Sequence, residues 1–266
     1  MTMNIENLTR LSPVEIGFTV NENLPIIPFY LDVTDAGCAA PHAHPRGQLI
    51  YASSGVMRVI CGQDIWVVPS SQAVWVPPFV EHEVFFPGDV TLRNLFVDPS
   101  FTDNLAKECV VFEVPDLLKE LILKVSYVES YNVNSSLYRL MLVIIDELAE
   151  VKPTDLRLPI GKDERLMRVI QALMDSPGDN RGLDMWAKIS GASSRTLSRL
   201  FISETGFSFY EWRKRLRLQE AVRMLEEGVD VTTIAFDLGY NSLSAFIKMF
   251  RESLGSPPGK FSKQSK

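Results

Sequence analysis

The sequence predicts a two-domain α+β chain: a β-rich N-terminal half closed by two helices, then an all-α C-terminal half. Three observations point there. Short runs of β-branched and aromatic residues fill residues 26 to 100, everything after about residue 163 has helical texture, and the helical part contains an internal repeat. At 266 residues the chain is long enough for two cores.

The β runs are QLIYAS, VMRVIC, DIWVVP, AVWVPP, HEVFF and VTLRNLFV, separated by turn residues such as CGQD and PGD. Short strands at this spacing predict a sandwich or barrel, and a barrel is expected over residues 1–112. Residues 113–151 are predicted helical. In SSLYRLMLVIIDELAEV, Leu137, Leu140, Met141, Ile144, Ile145 and Leu148 recur at helical spacing. That stripe is wide enough to pack on two sides, so it is expected to be either core or a homodimer interface. KPTDLRLPIGK (152–162), with two prolines and a glycine, is the expected linker.

Residues 163–266 carry the repeat. GASSRTLSRLFISETG (191–206) and GYNSLSAFIKMFRESLG (239–255) align at an offset of 49, so that Leu197 falls on Phe246 and Arg199 on Lys248. Each copy follows a short helix and a glycine-containing turn, which makes two helix-turn-helix units. A long helix joins them, with Ser208 and Glu211 as a capping box, Leu218, Ala221, Val222 and Leu225 as its buried stripe, and Gly228 as its stop.

The net charge of −6 argues against nucleic acid until the chain is divided. Residues 1–160 hold 10 Lys+Arg against 20 Asp+Glu, and residues 161–266 hold 17 against 13. Such asymmetry points to one partner-binding half. No apolar run approaches the ~18 residues that span a bilayer, and no signal peptide is visible. The three cysteines, Cys38, Cys61 and Cys109, lack metal-finger spacing and are expected as reduced thiols in a cytoplasmic protein.

Residues 163–261 resemble the DNA-binding domain of the AraC family of bacterial transcription regulators. The resemblance rests on RL..A..ML from Arg217 to Leu225, IA..LGY from Ile234 to Tyr240, F.K.F from Phe246 to Phe250, and GSPP at 255–258. Trp186-Ala187 stands where the family usually has Leu-Ala, a change expected to affect packing more than DNA contact. In a helix-turn-helix the second helix lies in the major groove. The resemblance therefore implies base-facing positions at Ser194, Arg195, Ser198 and Arg199, and at Leu243, Ser244, Ile247 and Lys248 in the second unit. The first set is richer in donors and should carry more sequence information.

All three histidines fall between residues 42 and 82. His42-Ala43-His44, Gln48 and Gly55 resemble the first cupin motif, with Gln in the usual Glu place. VPPFVEH supplies His82, but Phe86 stands where cupins place Asn. The resemblance implies a cupin-like sensing barrel, with a small-molecule effector. His42, His44, Gln48 and His82 either hold a divalent ion such as zinc, nickel or iron or line the pocket as hydrogen-bonding walls. The reading is a DNA-binding, effector-responsive transcription regulator and not an enzyme. It is a homodimer through Leu137, Leu140, Met141, Ile144 and Leu148, and meets RNA polymerase if it activates. The competing reading is a cupin-type metalloenzyme, a dioxygenase or isomerase fused to a helical domain. A barrel serving only dimerisation is a third.

Overall fold

Strand alternation and strand burial both shape the N-terminal part. The computed structural model describes residues 9–11, 14–62, 64–154, 157–254 and 257–260. It divides into two units. One comprises the described residues of Glu6–Gly62 and Val68–Asp155; the other comprises those of Gln63–Val67 and Leu156–Lys266.

The strands are β1 (Thr9–Leu11), β2 (Ile26–Val33), β3 (Gly37–His42), β4 (Gly47–Ser54), β5 (Val56–Cys61), β6 (Asp64–Pro69), β7 (Gln72–Val76), β8 (His82–Phe86), β9 (Val90–Val97) and β10 (Val110–Glu113). They form two sheets rather than the expected closed barrel. One is ordered β10-β7-β4-β9-β2, and the other contains β1-β3-β8-β5-β6 in that order. Strand β7, flanked on both sides, is buried along its whole length, with the apolar run Ala73–Val76 following buried Gln72. Gly55, at φ +85°, makes the sharp turn between β4 and β5; a Cβ there would lie 2.3 Å from the Asp89 carbonyl oxygen.

Helices α1 (Asp116–Val125) and α2 (Ser136–Ala149) belong to the same core as the five-stranded sheet. Leu118, Ile122 and Val125 of α1 and Met141, Ile144 and Leu148 of α2 join Leu49, Tyr51, Trp75 and Leu95. This corrects the dimer expectation for Met141, Ile144 and Leu148. They are almost wholly buried within their own chain, because the sheet and α1 absorb the wide stripe. Leu140 packs partly against that core, and Leu137 is half-buried.

The cysteine expectation is also corrected. Cys61 and Cys109 are joined by a disulfide across 48 residues, and Cys38 is buried and free.

The second unit contains α3 (Glu164–Asp175), α4 (Leu183–Ser190), α5 (Ser194–Leu200), α6 (Phe209–Glu226), α7 (Val231–Asp237) and α8 (Leu243–Leu254). A π-helical turn, Phe201–Thr205, extends α5. The capping box of Ser208 and Glu211 opens α6, and Gly228, at φ +80°, follows its end. Leu166, Trp186, Leu197, Phe201 and Trp212 build one core; Leu218, Leu225, Ile234, Phe246 and Phe250 build another. Trp186 lies in the first of these, with the Arg181 guanidinium 4.1 Å above its ring, so the departure from Leu is a matter of packing. Among the described residues no helix is long and apolar enough to cross a membrane.

The expected linker is fastened at both ends. Pro153 bridges to Phe112, and the Thr154 amide donates to Val111 at 2.7 Å. Leu158 joins the first helical core, Trp212 Nε1 donates to the Pro159 carbonyl at 2.8 Å, and Glu204 accepts from the amides of Lys162 (2.6 Å) and Asp163 (3.0 Å).

Candidate nucleic-acid interface and histidine site

The turn between α4 and α5 is made by Gly191 at φ +75° and by Ser193, whose hydroxyl accepts the Thr196 amide at 3.1 Å. This seats Leu197, Leu200 and Phe201 inward. The opposite face presents Arg195 and Arg199, both exposed, and half-buried Ser198. Together with Thr196, Ile202 and Ser203 they line a concavity along the helix. Ser194, an expected base-facing residue, instead donates its hydroxyl to Asp184.

Helix α8 is placed by the same device, with Ser242 Oγ accepting the Ala245 amide at 3.2 Å. Ser244 and Lys248 are exposed, as the repeat predicts, and Lys248 lies 4.0 Å from Glu252. Leu243 and Ile247 are half-buried and pack in part against the second core, which leaves each only partly exposed beside Ser244 and Lys248. Arg251 was missed by sequence reasoning. It is exposed and stands at i+7 from Ser244 and i+3 from Lys248, on the same face. The 49-residue offset places it on Ile202, which lines the concavity of α5, and that was the available signal.

The histidines converge between the two sheets. His42 ends β3 and pairs in register with His82 of β8, which pairs on its other side with Cys61 of β5. His44 lies in the loop after β3 rather than on the strand with His42, and Gln48 comes from β4 of the other sheet. Closure into a barrel is therefore not what brings them together; two facing sheets suffice. The three ligand nitrogens lie within 4.8 Å of one another. His44 and His82 are buried and His42 is half-buried.

Each ring has its Nδ1 against a backbone carbonyl: His42 to Ala40 (2.7 Å), His44 to Arg46 (2.7 Å) and His82 to Val80 (3.0 Å). A carbonyl only accepts, so Nδ1 carries the proton and Nε2 keeps its lone pair. Burial pushes the His82 pKa down to about 4 and lowers that of His44, which favours neutral rings. Gln48 Oε1 lies 3.0 Å from Nε2 of both His44 and His82. Two neutral imidazole lone pairs thus face an amide oxygen with no proton between them. Such a donor set fits a cation, and outward Nδ1–H bonds of this kind orient metal-ligating imidazoles.

The surroundings are firmly built. Gly17 is packed so tightly on His44 that a Cβ would lie 2.7 Å from its ring. Arg46, fully buried, pairs with Asp98 at 3.2 Å and donates to the carbonyls of Thr19, Leu24 and Phe96.

Comparison with known proteins agrees with these two regions. An AraC-like ligand binding domain matches residues 23–170, more than half of the chain, and a helix-turn-helix domain matches residues 186–264. The chain belongs to the AraC family of transcription regulators. It is 33% identical over 229 residues to the HTH-type transcriptional regulator NimR of Escherichia coli, covering 86% of this chain and 84% of that protein. The regulator RipA of Corynebacterium glutamicum is 33% identical over 103 residues, covering 39% of this chain and 31% of its own. Among solved structures, fatty-acid-bound ToxT of Vibrio cholerae aligns over 91% of this chain and 96% of that one, at 12% identity and a TM-score of 0.37. As a member of the AraC family, the chain is a transcription regulator with a DNA-binding and a ligand-binding domain.

Proposed function

We propose that this regulator reads operator DNA through two helix-turn-helix units, α4–α5 and α7–α8, and senses a small-molecule effector in a cupin-like two-sheet domain. The observation that carries the reading is the repeated unit with an exposed polar face on its second helix: Arg195, Ser198 and Arg199 in one copy, Ser244, Lys248 and Arg251 in the other. Arginine on such a face bonds bidentately to guanine O6 and N7, whereas Lys248 suits phosphate. Access to chromosomal DNA places the protein in the cytoplasm. A homodimer would present paired half-sites, using what α2 leaves at the surface around Leu137, Leu140 and exposed Val143. RNA polymerase is a further partner if the protein activates.

At the effector site, His42, His44, His82 and Gln48 would hold one divalent ion of the zinc, nickel or iron class, as the convergent lone pairs favour. The ion supplies positive charge, and an anionic effector group is the natural complement. The protein's own part is to orient the three rings through Ala40, Arg46 and Val80 and to exclude water by burial of His44 and His82. With the Gln48 amide reversed, its NH2 would donate to both imidazoles, and the same residues would form a metal-free pocket wall.

Footprinting of the full-length protein on its own upstream region, with and without candidate metabolites, tests the regulatory reading. Effector-dependent protection is expected; absence of any protected sequence would overturn it. Elemental analysis of untagged protein tests the ion. About one metal per chain, lost in His44→Ala, is expected. Metal-free protein that still answers its effector would leave the histidines as pocket walls.

A further inference from the structure

The two helix pairs have separate apolar cores, and α6 runs from one to the other. Beside that helix the connection between them is polar. Arg217 of α6 is 7% exposed. Its Nε donates to the Pro177 carbonyl at 2.9 Å, and its Nη2 donates to the Asp179 carbonyl and to Asn180 Oδ1, both at 3.0 Å. Asn180 passes the connection on: its Nδ2 donates to the Gly239 carbonyl at 3.0 Å, in the turn between α7 and α8. The loop after α3 is thus held between α6 and the turn that aims α8.

Two glycines allow this approach. A Cβ on Gly178 would lie 2.0 Å from the Asp237 carbonyl oxygen, and one on Gly239 would lie 2.4 Å from that of Gly178. Gly239 also has φ +75°, which favours glycine independently.

A buried guanidinium is a costly way to join two cores, and an apolar side chain would fill the space at less expense in desolvation. Here each of its bonds goes to a neutral oxygen. What the planar fork provides is direction, since several donors of fixed geometry tie one helix to one loop.

We propose that Arg217, acting through Asn180, is a positioning residue that fixes the spacing and phase of α5 and α8 on DNA. The inference rests on the reading that both helices contact DNA. It predicts an effect on how the two contacts are related rather than on either contact alone.

The test uses full-length protein and a duplex selected by the wild type from a random pool. Binding is measured to that duplex, to versions with one base pair inserted or removed between the two contacted segments, and to one retaining only the first segment. One base pair shifts the second segment by about 3.4 Å along the axis. Wild type should lose roughly tenfold or more in affinity on either change, the scale of a lost base contact. Arg217→Met and Arg217→Lys should bind the selected duplex more weakly, discriminate the spacers less than about threefold, and bind the first-segment duplex as wild type does. Asn180→Ala removes the link to Gly239 and one acceptor of Arg217 but leaves the bonds of Arg217 to the Pro177 and Asp179 carbonyls; it should show the same flattening and covers the case in which the arginine variants fail to fold. Folded variants that keep the wild-type spacer preference, or that lose affinity equally for every duplex, would overturn the proposal. A wild type indifferent to spacing would overturn the two-helix reading itself, and the positioning role with it.

Discussion

The two helix pairs match inside and differ outside. Leu197 and Phe246, equivalent across the repeat, are both fully buried, as are Phe201 and Phe250. On the exposed side, α5 offers Arg195 and Arg199, whereas α8 offers Ser244, Arg251 and a Lys248 that faces Glu252. The interior positions answer to packing, which tolerates little change in volume. The exposed positions answer only to what they meet. One architecture can therefore carry two different polar faces.

The largest test of that contrast is Arg199→Ala. It should cost roughly 1–3 kcal/mol of DNA binding and erase preference at one base position, read by selection from a randomised duplex. Equal affinity and equal selectivity would remove α5 as the reading helix. Next is Leu243→Ala. Because Leu243 packs against the second core, the loss should appear as a lowered thermal midpoint, below the roughly 2–5 kcal/mol of a fully buried leucine, with base preference unchanged. A changed base preference would return Leu243 to the DNA face. Smaller again, Lys248→Ala should weaken all sequences alike and reduce the slope of log affinity against log salt by about 1. Sequence-selective loss would make Lys248 a base contact rather than a phosphate contact. The smallest effect is expected from Glu252→Gln, which releases Lys248 from an exposed pairing worth about 0.2–0.5 kcal/mol. A slight, salt-sensitive gain in affinity is the outcome to look for.

Much of this was legible in sequence because it is local. The capping box of Ser208 and Glu211, the stripe Leu218, Ala221, Val222 and Leu225, and the alternation of helix and turn all depend on residues within a few positions of one another. The convergence of His42, His44, Gln48 and His82 was legible from spacing, but its route was not. Strand periodicity does not say which sheet a strand joins or where β3 ends, so neither the loop position of His44 nor the two-sheet arrangement follows from it. The stripe of α2 could be seen as wide, yet only the fold shows that α1 and the five-stranded sheet cover Met141, Ile144 and Leu148. Cys61 and Cys109 meet across 48 residues, a separation to which no local signal reaches. The Nδ1 bonds that set the imidazole tautomers depend on carbonyl directions, which side-chain identity does not encode.

The fastening of the chain after residue 157 decides how such regulators can be recombined. Leu158 and Pro159 are held by the first helical core and Trp212, and Glu204 grips the amides of Lys162 and Asp163. A chimera joined at the start of α3 would import α5 without the segment that seats its far end. Joined between 154 and 158, it keeps that segment with the helices and leaves Pro153 and Thr154 with β10. The exchangeable cassette begins at Leu158, ahead of its first long helix, and takes with it the need for Ile65 and Asp64, with which Leu158 and Pro159 pair.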